Sequence, residues 1–188
     1  MQTVCVFGSS SESIEKEFLD SAEHLGRTLA RRGKKVVFGA GRYGIMGAVA
    51  RGVTAGGGKL IGVSPRFFID MDVLVDNAYD MIYTDTMRER KAIMEETSDA
   101  FIICAGGIGT FEEFFEVLTL KQLGRHQKPI IIYNCLGYYD ELIAMMNASV
   151  EKSFMSRNVN RLYSVALTEE EVFDQLDNYR EFHYNKYD

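Results

Sequence analysis

Several residue types and patterns that mark common functional classes are scarce or missing in this sequence. It carries three cysteines in 188 residues, Cys5, Cys104 and Cys135, an odd number, widely spaced and set in apolar stretches. With no CxxC pair there is no thiol metal or redox motif, and reduced, buried thiols are expected rather than a disulfide framework. The three histidines, His24, His126 and His183, are scattered without HExxH or any other zinc spacing, so no metal site is expected. No apolar run approaches the roughly 18 residues that a membrane-spanning helix needs. The start, Met1-Gln2-Thr3-Val4, leads directly into an apolar segment with neither a basic region nor a small-residue cleavage site. No secretory signal is therefore expected, and the chain reads as cytoplasmic. Basic charge is scarce too: 21 Lys and Arg against 27 Asp and Glu leave a formal net charge of −6. That balance argues against nonspecific nucleic-acid binding, which rests on neutralising phosphates. It says nothing against one small anion held by a few local donors.

What is present is an alternation. Apolar residues make up 46% and charged residues 26%, which suits one soluble domain over residues 1–188. Short apolar runs at Thr3–Phe7, Lys35–Phe38, Leu60–Val63, Met81–Tyr83, Ala100–Cys104, Ile130–Tyr133 and Leu162–Val165 read as strands covered on both faces. Helical segments are expected between them, near 13–32, 44–56, 86–97, 110–123, 139–152 and 169–180. The pattern predicts an α/β fold, a Rossmann-like doubly wound, mostly parallel sheet of about seven strands flanked by helices. The polar end, Tyr184–Asp188, is expected to fray. In such folds ligands sit beyond the carboxyl ends of the strands, at the switch in strand order.

Three strand-to-helix turns are therefore candidates. In the first, Gly8-Ser9-Ser10-Ser11-Glu12, the Ser9 and Glu12 spacing fits a capping box, and a capped helix is the simplest reading. The second, Gly39-Ala40-Gly41-Arg42-Tyr43-Gly44-Ile45-Met46-Gly47, has GxGxxG spacing. It is not the first such turn, however, and no acidic residue follows about 20 residues later as a dinucleotide site requires. The third, Cys104-Ala105-Gly106-Gly107-Ile108-Gly109-Thr110, passes from a buried strand through glycines into a helix. Successive backbone amides at a helix start make an anion site, to which Thr110 adds a hydroxyl. No GK[ST] follows, so P-loop magnesium chemistry is not expected. Glu112, Glu113 and Glu116 lie in the first turns of that helix, where acids are favoured in any case. Phe111, Phe114, Phe115 and Leu118 have the spacing of a packed face. Val117, Leu120 and Leu123 widen it, as in a helix central in its layer or, the preferred reading, half-buried in a dimer interface. Upstream, Met87-Arg88-Glu89-Arg90-Lys91 opens another helix with cations where the helix dipole prefers acids, and an Arg fork suits a phosphate or a heterocyclic base.

Taken together, these elements resemble the LOG ("lonely guy") family of phosphoribohydrolases, often mislabelled lysine decarboxylases. The family's PGGxGTxxE matches Ala105–Glu113 except at its first position, and its MxxRK element matches Met87–Lys91. Its GSS and GxxGxMG turns match Gly8-Ser9-Ser10 and Gly41–Gly47. The resemblance covers roughly residues 3 to 150. It implies that Arg90 and Glu113 form a catalytic pair. It further implies that Ser10, Gly44, Met46, Arg90, Lys91, Gly106, Gly107, Ile108, Gly109, Thr110, Phe111, Glu112 and Thr119 contact a nucleotide. Asp72 falls where the family often carries a nucleotide-contacting Glu. The implied reaction is hydrolysis of the N-glycosidic bond of a nucleoside 5′-monophosphate, AMP or an N6-substituted cytokinin analogue. The products would be free base and ribose 5-phosphate, made by a homodimer that uses no cofactor.

Two other readings compete. A noncatalytic nucleotide or cofactor carrier of the same fold would keep the glycine turn but has no need of Arg90 and Glu113. A pyridoxal-phosphate lysine decarboxylase needs a Schiff-base lysine, and nothing in the sequence marks Lys91 or Lys121 as one.

Overall fold

A computed structural model describes residues 2–75 and 80–184. Most of the Tyr184–Asp188 tail, residues 185–188, lies outside the described residues.

Seven strands alternate with six α-helices among these residues. The strands are β1 (Thr3–Phe7), β2 (Lys35–Phe38), β3 (Lys59–Pro65), β4 (Asp80–Thr84), β5 (Ala100–Ile103), β6 (Ile130–Tyr133) and β7 (Ser164–Ala166). The helices are α1 (Lys16–Arg31), α2 (Gly44–Ala55), α3 (Met87–Thr97), α4 (Ile108–Gln122), α5 (Asp140–Glu151) and α6 (Glu169–Asp177). They form one sheet in the order β4-β3-β2-β1-β5-β6-β7, and every pairing is parallel. The chain winds outward from β1 to β4, returns, and winds the other way from β5. The order therefore switches between β1 and β5.

Strand periodicity divides the core. Val4 and Val6 of β1 and Ile102 of β5 face a layer containing Leu25 and Leu29 of α1, Val49 of α2 and Phe173 of α6. Their neighbours Cys5, Phe7 and Ile103 face Met94 of α3, Phe114 and Val117 of α4 and Met146 of α5. Strands buried on both faces in this way read as continuous apolar runs, which is why their positions were evident. The cysteines are free, Cys5 and Cys104 fully enclosed. Burial pushes both thiols up, Cys104 to about 12, so neither supplies a thiolate near neutral pH. No helix among the described residues is long and apolar enough to cross a membrane.

Two local expectations are corrected. Ser9 and Glu12 do not cap a helix: α1 begins only at Lys16, with Glu15 at its N-cap and no side-chain cap. The intervening loop is held by tertiary bonds, from Ser9 N to Ala105 O (3.0 Å) and from Met46 N to Ser9 O (3.2 Å), and these outweigh the local capping pattern. The last strand starts at Ser164 rather than Leu162, because Leu162 closes a short 3-10 helix, Arg157–Arg161.

Candidate active site

A cavity of about 590 Å³ opens at the carboxyl ends of the strands, beside the switch between β1 and β5. Its volume lies within the roughly 300–1,000 Å³ usual for small-molecule sites. The loop after β1 supplies Ser9, Ser10, Ser11 and Glu12. Tyr43 comes from the β2–α2 turn and Met46 from the first turn of α2, Phe68 from the segment after β3, and Met87 and Arg90 from α3. Gly107, Gly109, Thr110 and Glu113 come from α4 and the turn before it.

The start of α4 forms one wall. Gly107 is its N-cap and has no side chain with which to bond the first amides. The first turn of a helix lacks internal partners for those N–H groups, and its dipole is positive there. An anion fits that gap. α3 is built differently. Thr86 accepts from Glu89 N (3.2 Å) while Glu89 accepts from Thr86 N (3.3 Å) and Asp85 N (2.9 Å), a capping box that satisfies the helix from within.

Facing the anion site is an ion pair across α3 and α4. Arg90 Nη2 lies 3.2 Å from Glu113 Oε1, and both residues are only 8% exposed. Arg90 Nε also donates to Val63 O at 3.3 Å, which fixes the guanidinium plane against β3. Gly39 is required for this packing, since a Cβ there would lie 2.1 Å from Arg90 Nη2. Burial pushes the Glu113 carboxyl up to about 7 while Arg90 pulls it the other way. A carboxyl poised near neutrality can both hold and release a proton under working conditions. The cations at the start of α3, unfavourable to that helix alone, are thus explained by carboxylates on α4.

The other residues singled out from the sequence divide. Ser10, Met46, Gly107, Gly109 and Thr110 line the cavity with Arg90 and Glu113. Gly44 opens α2, buried behind the wall, and Gly106 is buried in the turn itself. Lys91 is turned away and is bound by Glu112 and Glu116. Burial works against its charge, but those carboxylates outweigh it and raise the ammonium above its ordinary range. Ile108 is 86% exposed, Phe111 packs edge-on to Tyr139, and Thr119 is exposed two turns farther along α4. Asp72 is not brought into the cavity. It ends the 3-10 helix Arg66–Met71, with its side chain 84% exposed and 3.0 Å from Arg42 Nη1. Tyr43 and Phe68 line the cavity although no spacing in the sequence pointed to them.

Comparison with known proteins adds a family to this geometry. A family model described as "possible lysine decarboxylase" matches residues 46–176. A probable cytokinin riboside 5′-monophosphate phosphoribohydrolase of Oryza sativa subsp. japonica is 37% identical over 95% of this chain and 85% of its own length. A cytokinin riboside 5′-monophosphate phosphoribohydrolase of Arabidopsis thaliana is also 37% identical, over 96% of this chain and 84% of its own length. Among solved structures, the molybdenum cofactor binding protein of Rippkaea orientalis superposes with a TM-score of 0.72 at 22% identity, covering 94% of this chain and 95% of that one. At that identity the likeness extends to the fold. The words "lysine decarboxylase" find no support in the cavity, where pyridoxal-phosphate chemistry would need a lysine amine. Among the described residues no lysine lines it. Lys91 is bound by two carboxylates, and Lys121 is buried in the last turn of α4, 5.0 Å from the Tyr179 ring.

Proposed function

Because the chain belongs to the LOG family of phosphoribohydrolases, we propose that it hydrolyses the N-glycosidic bond of a nucleoside 5′-monophosphate, AMP or an N6-substituted analogue. The observation that carries this reading is the buried Arg90–Glu113 pair, which opens into the cavity beside the uncapped start of α4. A binding protein needs the amides of that turn; it does not need a carboxyl held near neutral pH.

The 5′-phosphate sits on the amides of Gly107 to Thr110, with the Ser9 and Ser10 hydroxyls in reach. Anchoring it fixes the ribose against Glu113 and supplies the orientation on which the rate depends. As the bond from C1′ to the base breaks, the ribose gains oxocarbenium character and the base gains negative charge. The Glu113 carboxylate stabilises the first and orients a water for attack on C1′. Arg90 meets the second. Two of its five N–H groups are engaged by Val63 and Glu113, and the remainder can face the leaving base. Arg90 stays protonated throughout. The proton that water loses passes through Glu113 to the departing ring nitrogen, which yields neutral base and ribose 5-phosphate.

We assign the working form as a cytoplasmic homodimer. Its support is α4, where Ile108 and Leu123 are exposed at the two ends and Phe111, Phe115 and Leu120 are half-buried between them. Light scattering at micromolar concentration tests this, with twice the chain mass expected. The activity is tested by incubating the protein with AMP and following adenine by chromatography. Stoichiometric release of adenine and ribose 5-phosphate supports the proposal. Tight AMP binding without release overturns it in favour of a carrier.

A further inference from the structure

The glycine turn is held from behind, carbonyl by carbonyl. Cys104 O accepts from the Tyr139 hydroxyl at 2.7 Å, Ala105 O from Ser9 N at 3.0 Å, and Gly106 O from the Tyr138 hydroxyl at 2.8 Å. The last of these matters most. The peptide between Gly106 and Gly107 joins two glycines, so neither residue has a Cβ of its own to limit its rotation; a Cβ at Gly107 would meet nothing within 4 Å, although one at Gly106 would lie 2.1 Å from Thr110 Oγ1. Rotated by half a turn, that peptide would aim a carbonyl oxygen where an anion is to sit.

The peptide is trans and planar, so its C=O and N–H point in opposite directions. By holding Gly106 O, the Tyr138 hydroxyl directs Gly107 N–H away from itself, on the residue that lines the cavity. Tyr138 is 43% exposed and is held through one side of its ring. Its ring stands edge-on to Tyr139 (centroids 4.9 Å apart, 85°) and to Phe18 (5.8 Å, 79°). The β6–α5 turn that carries it is closed by Asn134, which accepts from Tyr139 N and donates to Asp140, both at 2.7 Å. Tyr138 itself does not line the cavity.

We propose that Tyr138 is a positioning residue that sets selectivity for the phosphorylated ligand: its hydroxyl locks the Gly106–Gly107 peptide so that the Gly107 amide donates to the 5′-phosphate. The inference rests on the turn being the phosphate site, and the test separates the two. Calorimetric titrations of the wild type and of Tyr138→Phe use ribose 5-phosphate, ribose and adenine, none of which contains the scissile bond. Tyr138→Phe retains the ring and its edge-on contacts, and circular dichroism with a melting curve verifies the fold. The expected result is about tenfold weaker binding of ribose 5-phosphate, the loss of roughly one charge-assisted hydrogen bond, with adenine affinity within about twofold of wild type. In a ¹⁵N-labelled sample, the shift of the Gly107 amide on adding ribose 5-phosphate is expected to shrink in the variant. If wild type binds ribose 5-phosphate no better than ribose, the phosphate reading of the turn fails. If wild type prefers the phosphorylated sugar and Tyr138→Phe keeps that preference undiminished, the turn stands and the role of Tyr138 is overturned. Equal weakening of ribose 5-phosphate and adenine overturns it as well, since that is the signature of a general structural defect.

Discussion

Two adjacent cations of α3 are paired with carboxylates of α4: Arg90 with Glu113, and Lys91 with both Glu112 and Glu116. One residue along a helix turns a side chain by about 100°. That rotation puts the first pair against the cavity, with both members nearly enclosed, and the second away from it; Lys91 is itself only 12% exposed, but its carboxylates Glu112 and Glu116 are 52% and 35% exposed. Neighbouring cations and carboxylates on the same two helices thus yield two different devices. Enclosure raises the Glu113 carboxyl to about 7 despite the cation beside it, and Arg90 is pinned by Val63 O. The outer lysine has two carboxylates and is held fully charged. A buried pair is poor evidence for stability, because desolvation cancels much of the attraction. Its place in the cavity wall is what the proposed chemistry requires.

The contrast is broken most directly by removing one charge from each carboxylate site. Glu113→Gln is expected to lower kcat/KM for AMP by about 10²–10⁴-fold, the range for loss of a positioned acid–base group, with a wild-type circular dichroism spectrum. Glu112→Gln, its sequence neighbour, is expected to stay within about threefold. Equal losses in the two variants would mean that burial does not distinguish the pairs.

Stability tests the same contrast at its cationic ends. Arg90→Ala leaves Glu113 enclosed without a partner, and urea unfolding at pH 8 is expected to register a loss of about 3–5 kcal/mol. The loss should be smaller at pH 6, where the carboxyl can take up a proton instead. A pH-independent cost would show that the pair acts through packing alone.

The pH dependence of the intact protein sharpens the point. Burial raises the carboxyls of both Glu113 and Glu95 to about 7. The fold therefore favours their neutral forms. That contribution is fully present below the ordinary carboxylate range and is lost as pH rises through about 7. The melting temperature of the ligand-free protein is expected to fall between pH 6 and 8, and less steeply in Glu113→Gln, where Glu95 alone remains. Activity should run the other way if the proposed mechanism, which uses the carboxylate, holds: kcat/KM is then expected to drop as pH falls below about 7. An acid limb near pH 4.5 would indicate that Arg90 outweighs burial.

Much of the fold could be read from the chain because doubly buried strands are apolar throughout; β1, β2 and β6 lie where the apolar runs put them. The Arg90–Glu113 pair was legible through its two motifs. Which neighbours would accompany it was not. Lys91 and Glu112 share those motifs, yet helix rotation turns them outward, a distinction that linear spacing does not carry. The Ser9–Glu12 loop satisfied a local capping pattern but is governed by bonds to Ala105 and Met46, which are remote in sequence. Tyr138 and Tyr139 lie about 30 residues beyond the turn whose carbonyls they hold, and only the adjacency of β5 and β6 brings them there.

The smallest effect is expected at the outer lysine. In Lys91→Ala, Glu112 and Glu116 lose a partner but can rotate toward water, so the cost should be about 1 kcal/mol or less, and partly screened by salt. Both members of the Arg90–Glu113 pair are largely buried, with side chains 10% and 9% exposed, so more of the Arg90→Ala deficit should persist at high salt. Unfolding both variants at 0.05 and 0.5 M sodium chloride compares the two directly. A Lys91→Ala deficit as large and as salt-insensitive as that of Arg90→Ala would mean that the outer network is also enclosed in the working protein, as it would be if a second subunit covered that face of α3 and α4.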